Sequence, residues 1–216
     1  MEGIGQDKNE NKLKSVVVYC ASSNQVAEAF FEQTRMLGKI MAQHKISIRY
    51  GGGNSGLMGE LAKTCRDNGG NVIGVIPSFM IKNRWHMEDQ FLTELVETDD
   101  MHSRKKSLMD GVDAAIALPG GVGTLEELLE VICWKKLGLF VKPIIVMNIN
   151  GYYDHLLQML DKTVEEKFMT PEAGKLWTVV TGAEQVIDAI VKTPDVDPGK
   201  TFVHELIFKL DDNEKK

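Results

Sequence analysis

The chain has 216 residues, a formal net charge of −6 and a pI near 5.4. That length suits one sizeable core and is short for two, and the acidic balance excludes the basic face of a nucleic-acid or anionic-membrane binder. Cys20, Cys65 and Cys133 are scattered, with no C-x-x-C pair, and no segment reaches the about 18 uninterrupted apolar residues of a membrane span. The expectation is a cytoplasmic protein with reduced thiols, each a small buried hydrophobe, no metal and a small-molecule partner.

Residues 1–13 are polar, lack an apolar leader and are expected to be disordered. A β-branched run at 14–19 predicts the first strand, which ends in Cys20-Ala21-Ser22-Ser23-Asn24 before a helical pattern over 26–43. There Ser23 or Asn24 is either the cap of that helix or a ligand contact. A strand at 46–50 runs into Tyr50-Gly51-Gly52-Gly53-Asn54-Ser55-Gly56-Leu57-Met58-Gly59, ahead of a helix over 57–68. This is not G-x-G-x-x-G, so it does not by itself indicate a dinucleotide. Five glycines in nine residues nevertheless bring backbone close to something, most simply the phosphate or sugar of a nucleotide.

After a strand at 72–76, residues 77–92 (PSFMIKNRWHMEDQFL) break the rhythm. They read either as a surface loop or short helix or as a flap over a site. A strand at 93–97 and a capping Asp99-Asp100 then introduce a basic helix over 101–110, Met101-His102-Ser103-Arg104-Lys105-Lys106 at its start. Arg104 and Leu108 share a face at i, i+4, which places the arginine at the inward edge and Lys106 in solvent. His102 is either structural or a second polar contact.

A strand at 114–118 leads into Pro119-Gly120-Gly121-Val122-Gly123-Thr124-Leu125-Glu126-Glu127 and a helix over 124–137. A glycine turn feeding a helix N-terminus leaves backbone N–H groups for an anion. Thr124 and Glu127 also fit the S/T-x-x-E capping box. Glu127 therefore has two readings: a helix cap, or, with Glu126, a carboxylate within one turn of a bound phosphate. A cap alone does not require Gly120, Gly121 and Gly123 together. A strand at 144–149 and helices over 152–166 and 183–192 complete the pattern, and the segment 194–216, with the apolar run TFVHELIFKL, is expected to pack on the body or on a second subunit.

This βα alternation predicts an α/β fold: a Rossmann-like, doubly wound, mostly parallel sheet flanked by helices, in one domain over 14–193, with ligands beyond the C-terminal ends of the strands.

The motifs together resemble the LOG family, the cytokinin riboside 5′-monophosphate phosphoribohydrolases often mislabelled as lysine decarboxylases. Its P-G-G-x-G-T-x-x-E signature stands at 119–127, its G-G-G-x-x-G-L-M-G loop at 51–59, its M-H-x-R-K segment at 101–105 and a G-Y-Y-D stretch at 151–154. Nothing in the chain resembles the pyridoxal-phosphate lysine site that the decarboxylase label would imply. The resemblance implies a cytoplasmic homodimer that needs no cofactor. It cleaves the N-glycosidic bond of a nucleoside 5′-monophosphate, either a cytokinin riboside 5′-monophosphate or AMP, to free base and ribose 5-phosphate. Arg104 and Glu127 are implied as the catalytic pair. Ser22, Gly52, Gly53, Met101, Lys105, Gly120, Gly121, Val122, Gly123, Thr124 and Glu126 are implied to contact the nucleotide.

The chain departs from the family where Cys133 replaces a helix threonine and where 77–92 does not align cleanly, leaving Glu88 to stand for an acidic residue there. Two alternatives remain: a nucleotide nucleosidase of broad specificity, and a non-catalytic nucleotide sensor or carrier of the same fold. The chemistry suits the first reading. Breaking a ribosyl C–N bond develops positive charge on the sugar, which a nearby carboxylate stabilises. Arginine, with its high pKa, is better suited to positioning and charge stabilisation than to proton donation.

Overall fold

The computed structural model describes residues 13–86 and 88–195. The expectations for the first twelve residues and for the tail from 196 onward lie outside the described residues, while Leu13 packs against the core.

Seven parallel strands form one sheet: β1 Ser15–Tyr19, β2 Ser47–Tyr50, β3 Val72–Pro77, β4 Glu94–Thr98, β5 Ala114–Ala117, β6 Ile144–Met147 and β7 Thr178–Val180, in the order β4-β3-β2-β1-β5-β6-β7. The sequence predicts six of these. It misses β7, a three-residue edge strand that buries only Val180 and is too short to show a period. The helices are α1 Glu28–Gln43, α2 Gly56–Asp67, α3 Ser78–Lys82, α4 Met101–Met109, α5 Val122–Lys136, α6 Asp154–Glu165 and α7 Val186–Lys192.

Alternation along the strands divides the core between the two faces of the sheet. Val16, Val18, Ile48, Tyr50 and Ile116 pack with residues of α1, α2 and α7. Val17, Tyr19, Ala115, Ala117 and Val146 pack with residues of α4, α5 and α6. Strands apolar on both faces are what a sheet covered on both sides requires. Central β1 pairs with β2 in the register Ser15↔Ser47 and with β5 in the register Val16↔Ala114. The chain leaves β1 outward through β2, β3 and β4, then returns to place β5 on its other side. That reversal opens a crevice between the C-terminal ends of β1 and β5, where open α/β sheets bind ligands.

The segment 77–92 contains α3 and a 3-10 turn at Asp89–Phe91. An isolated antiparallel bridge, Gly53↔His86, brings it back over the loop after β2.

Candidate active site

The loop after β5 carries the candidate anion seat. Helix α5 begins at Val122, with Gly121 as its N-cap and no side-chain cap bond, two residues earlier than the sequence pattern suggests. Its first intrahelical bond runs from the Leu125 N–H to the Gly121 carbonyl (3.0 Å). The N–H groups of Val122, Gly123 and Thr124 precede that bond at an exposed helix end, as an anion site requires. The capping-box reading is overturned. Thr124 lies inside the first turn, buried, with its side chain against Gly120. A β-carbon on Gly120 would overlap it, so that glycine is there for close approach rather than for turning.

Glu127 therefore satisfies no helix-end donor and faces Arg104. Its carboxylate lies 3.5 Å from the Arg104 Nη1, and the two side chains are only 13% and 12% exposed. Burial pushes the Glu127 carboxyl up to about 7, against the opposing pull of Arg104 and with added push from Glu126 and Glu130. Arg104 is aimed by α4, whose N-cap Asp100 accepts a hydrogen bond from the Ser103 N–H at 2.8 Å. The Arg104 Nε donates to the Val75 carbonyl at 3.3 Å, and its guanidinium lies across Gly51, where a β-carbon would collide with it. One glycine of the β2 loop thus makes room for the arginine rather than for a ligand.

Lys105, expected to contact nucleotide, sits between two acids: its Nζ is 2.6 Å from Glu126 and 3.1 Å from Glu130. Lys106 is exposed, as the helix pattern predicts. Gly52 and Gly53 are buried in the loop that meets the 77–92 segment, whereas Ser22 and Met101 lie exposed at the sheet's C-terminal edge. Ser23 and Asn24 do not cap α1, which starts at Glu28 with Ala27 as N-cap. The Ser23 Oγ accepts from the Gln25 N–H at 3.1 Å, and the Asn24 Oδ1 accepts from the Gly56 N–H at 2.7 Å, tying the β1 and β2 loops together. Glu88 is exposed, its carboxylate accepting from Gln90 at 2.7 Å. Cys20 and Cys65 are buried as predicted, but Cys133 is exposed on α5. Among the described residues no cluster of His, Cys, Asp and Glu is arranged to hold a metal ion, and no helix is long and apolar enough to cross a membrane.

Sequence reasoning misses two features of the site. Tyr19, at the C-terminal end of β1, is 3% exposed. Burial first and the Glu127 charge second hold its phenol well above the usual range, so it lies within reach of that carboxylate's field. Glu130, one turn beyond Glu126 on α5, completes the acid pair around Lys105. Its i, i+4 spacing from Glu126 is the signal that could have found it.

A family profile described as "Possible lysine decarboxylase" matches residues 58–190. A protein of Arabidopsis thaliana named "Probable cytokinin riboside 5'-monophosphate phosphoribohydrolase LOG6" is 43% identical over 191 residues, covering 88% of this chain and 92% of that one. The Arabidopsis thaliana "Cytokinin riboside 5'-monophosphate phosphoribohydrolase LOG3" is 37% identical, covering 87% of this chain and 86% of its own. Among solved structures, the molybdenum cofactor carrier protein of Chlamydomonas reinhardtii superposes with a TM-score of 0.62 at 20% identity, covering 84% of this chain and 98% of that one. The cofactor-binding protein of Rippkaea orientalis does so with a TM-score of 0.60, also at 20% identity, covering 82% and 94%. At that identity they share the fold. The sequence relatives go further: by their identity and coverage, this chain belongs to the LOG family.

Proposed function

We propose that the chain hydrolyses the N-glycosidic bond of a nucleoside 5′-monophosphate, releasing free base and ribose 5-phosphate, with a cytokinin riboside 5′-monophosphate or AMP as substrate. The names of its relatives support the reaction class. The observation that carries the proposal is Glu127: a nearly buried carboxylate with a pKa near neutrality, facing an arginine, one turn from an uncapped helix end.

In this reading the phosphate sits on the N–H groups at the start of α5, and the ribose lies over Glu127. The C1′–N bond breaks with its electron pair going to the base nitrogen, which takes up a proton from solvent, and solvent regains one from Glu127 when the products leave. The water oxygen bonds C1′ and gives its proton to the Glu127 carboxylate, which also stabilises the positive charge developing on the sugar. Arg104 holds Glu127 in place and offsets its charge as the substrate dianion enters. Ser22, Gly52, Gly53 and Met101 form the rim for sugar and base. Lys105 and Glu126 form an ion pair whose partners substrate oxygens can exchange. The 77–92 segment, bridged to Gly53 and exposing Phe79 and Trp85, is the flap over the base.

The protein acts as a cytoplasmic homodimer. Support for pairing comes from Met101 and Leu129, both exposed, on helices α4 and α5 that Lys105 ties together. Light scattering at micromolar concentration tests it, and a monomer refutes it. The reaction is tested by incubation with AMP and with N6-isopentenyl-AMP, followed by detection of base and ribose 5-phosphate. Release from either supports the hydrolase. Tight calorimetric binding with no release from any nucleoside monophosphate replaces it with the carrier reading.

A further inference from the structure

Three consecutive carbonyls ahead of the anion seat are each taken by a donor from another loop. The Leu118 carbonyl accepts from the Tyr153 hydroxyl at 2.7 Å, the Pro119 carbonyl from the Ala21 N–H at 3.2 Å, and the Gly120 carbonyl from the Tyr152 hydroxyl at 2.5 Å. Both tyrosines come from the turn between β6 and α6. Two residues there in succession, Asn150 (φ +53°) and Gly151 (φ +72°), adopt the left-handed conformation and swing the chain toward the β5 loop. The Asn148 side chain fastens that turn: its Oδ1 accepts from the Tyr153 N–H and its Nδ2 donates to Asp154, both at 2.7 Å. The Tyr152 ring packs edge-on between Phe30 of α1, at 5.9 Å, and Tyr153, at 5.0 Å. Its hydroxyl is therefore presented by a ring held on two sides.

A peptide unit is planar and trans, so the direction of one carbonyl fixes the opposite direction for the N–H of the next residue. With the Gly120 carbonyl turned to Tyr152, the Gly121 N–H points the other way. The Pro119 carbonyl, tied to Ala21, fixes the Gly120 N–H in the same way, whereas the Leu118 carbonyl precedes proline, which has no N–H, so the Tyr153 bond anchors the end of β5 rather than aiming a donor. A glycine pair such as Gly120-Gly121 has no side chain to choose that orientation for itself.

We propose that Tyr152 and Tyr153 are positioning residues for the substrate phosphate: Tyr152 aims the Gly121 N–H at the α5 entry, and Tyr153 anchors the strand end ahead of it. Their role rests on the phosphate seat of the proposed function. They act through the Leu118 and Gly120 carbonyls without touching the reacting bond, and so govern phosphate affinity rather than the chemical step.

Tyr152→Phe removes one hydroxyl and keeps the ring packing. The dissociation constant for ribose 5-phosphate, read by calorimetry on the full chain, should rise by between about twofold and tenfold, the range of one hydrogen bond. KM for AMP should rise in parallel, with kcat within about twofold of the parent. Tyr153→Phe should move the same two quantities in the same direction, and its thermal midpoint, measured alongside, separates loss of orientation from loss of fold. Unchanged ribose 5-phosphate affinity in both variants, or a fall in kcat at constant affinity, overturns the inference. A parent chain that binds ribose 5-phosphate but releases no base from any nucleotide refutes the hydrolase and leaves this test intact. A parent chain that binds no ribose 5-phosphate overturns the inference together with the seat.

Discussion

Helix α5 holds two buried ionisable groups that burial pushes in the same sense, toward neutrality, and only one of them belongs to the crevice. Glu127 in its second turn is raised to about 7, and Lys135 in its last turn is lowered to about 8. They stand eight residues, or about 12 Å, apart along the axis. Lys135 is 1% exposed, and its Nζ donates to the Lys142 carbonyl at 2.8 Å, a fixed partner in a closed place. Among the described residues Glu127 accepts no hydrogen bond. Its neighbour Arg104, at 3.5 Å, attracts it without saturating it. A shifted pKa therefore reports burial. Unused bonding capacity at the C-terminal edge of the sheet is what distinguishes a reactive group from a structural one.

The comparison breaks first at Glu127→Gln. Nucleotide hydrolysis should fall by at least about 10³-fold, since both charge stabilisation and proton acceptance are lost, while ribose 5-phosphate affinity stays within about threefold. A near-normal rate would return Glu127 to the structural class of Lys135. Arg104→Met should cost about 10²-fold in kcat/KM, by leaving the acid unheld and its charge unopposed. Because the proposed reaction uses the carboxylate form, kcat/KM of the parent should rise with pH through an acid limb near the Glu127 pKa of about 7 and then level off. Lys135→Met should leave both kcat and that limb unmoved. A shift of the limb would mean that the two ends of α5 communicate.

How much of this was legible in the sequence differs between the same two places. The β-branched runs, the glycine turn and the i, i+4 spacing of Arg104 and Leu108 lay out the sheet, the crevice and the inward arginine, because period and turn chemistry are local properties. The fate of Thr124 was not legible, since the capping box and a first-turn threonine packed on Gly120 have the same spacing and differ only in where the helix starts. Nor was the engagement of Lys105, which depends on α4 lying beside α5. Tyr19 acts through burial, so no local pattern marks it, and although Tyr152 and Tyr153 stand in the G-Y-Y-D stretch, the carbonyls they bond lie far away in sequence, so the stretch does not reveal what they do. Lys135 reads as an ordinary basic residue in a last helical turn, and only the packing reveals it as buried.

The smallest effects lie in stability, where the two groups leave opposite signatures. The folded chain holds the Glu127 proton up to about pH 7, whereas the unfolded chain releases it near the ordinary 4.5. Between those values the folded state binds more protons, so the group's contribution is intact below about 4.5 and is lost as pH rises through 7. Glu127→Gln removes that slope, and urea titration at pH 8 should find the variant more stable than its parent by about 1–3 kcal/mol. Lys135 behaves conversely: its folded pKa near 8 lies below its ordinary 10.5, the unfolded chain binds more protons between them, and stability rises with pH across that window. Lys135→Met should abolish the rise. At pH 7 its net effect should be within about 1 kcal/mol, because relief from burying an ammonium offsets a Lys142 carbonyl left without its donor. A parent whose stability is flat from pH 8 to 10.5 would mean that the Lys135 ammonium is solvated in the folded chain, and the contrast with Glu127 would then be one of solvent access alone.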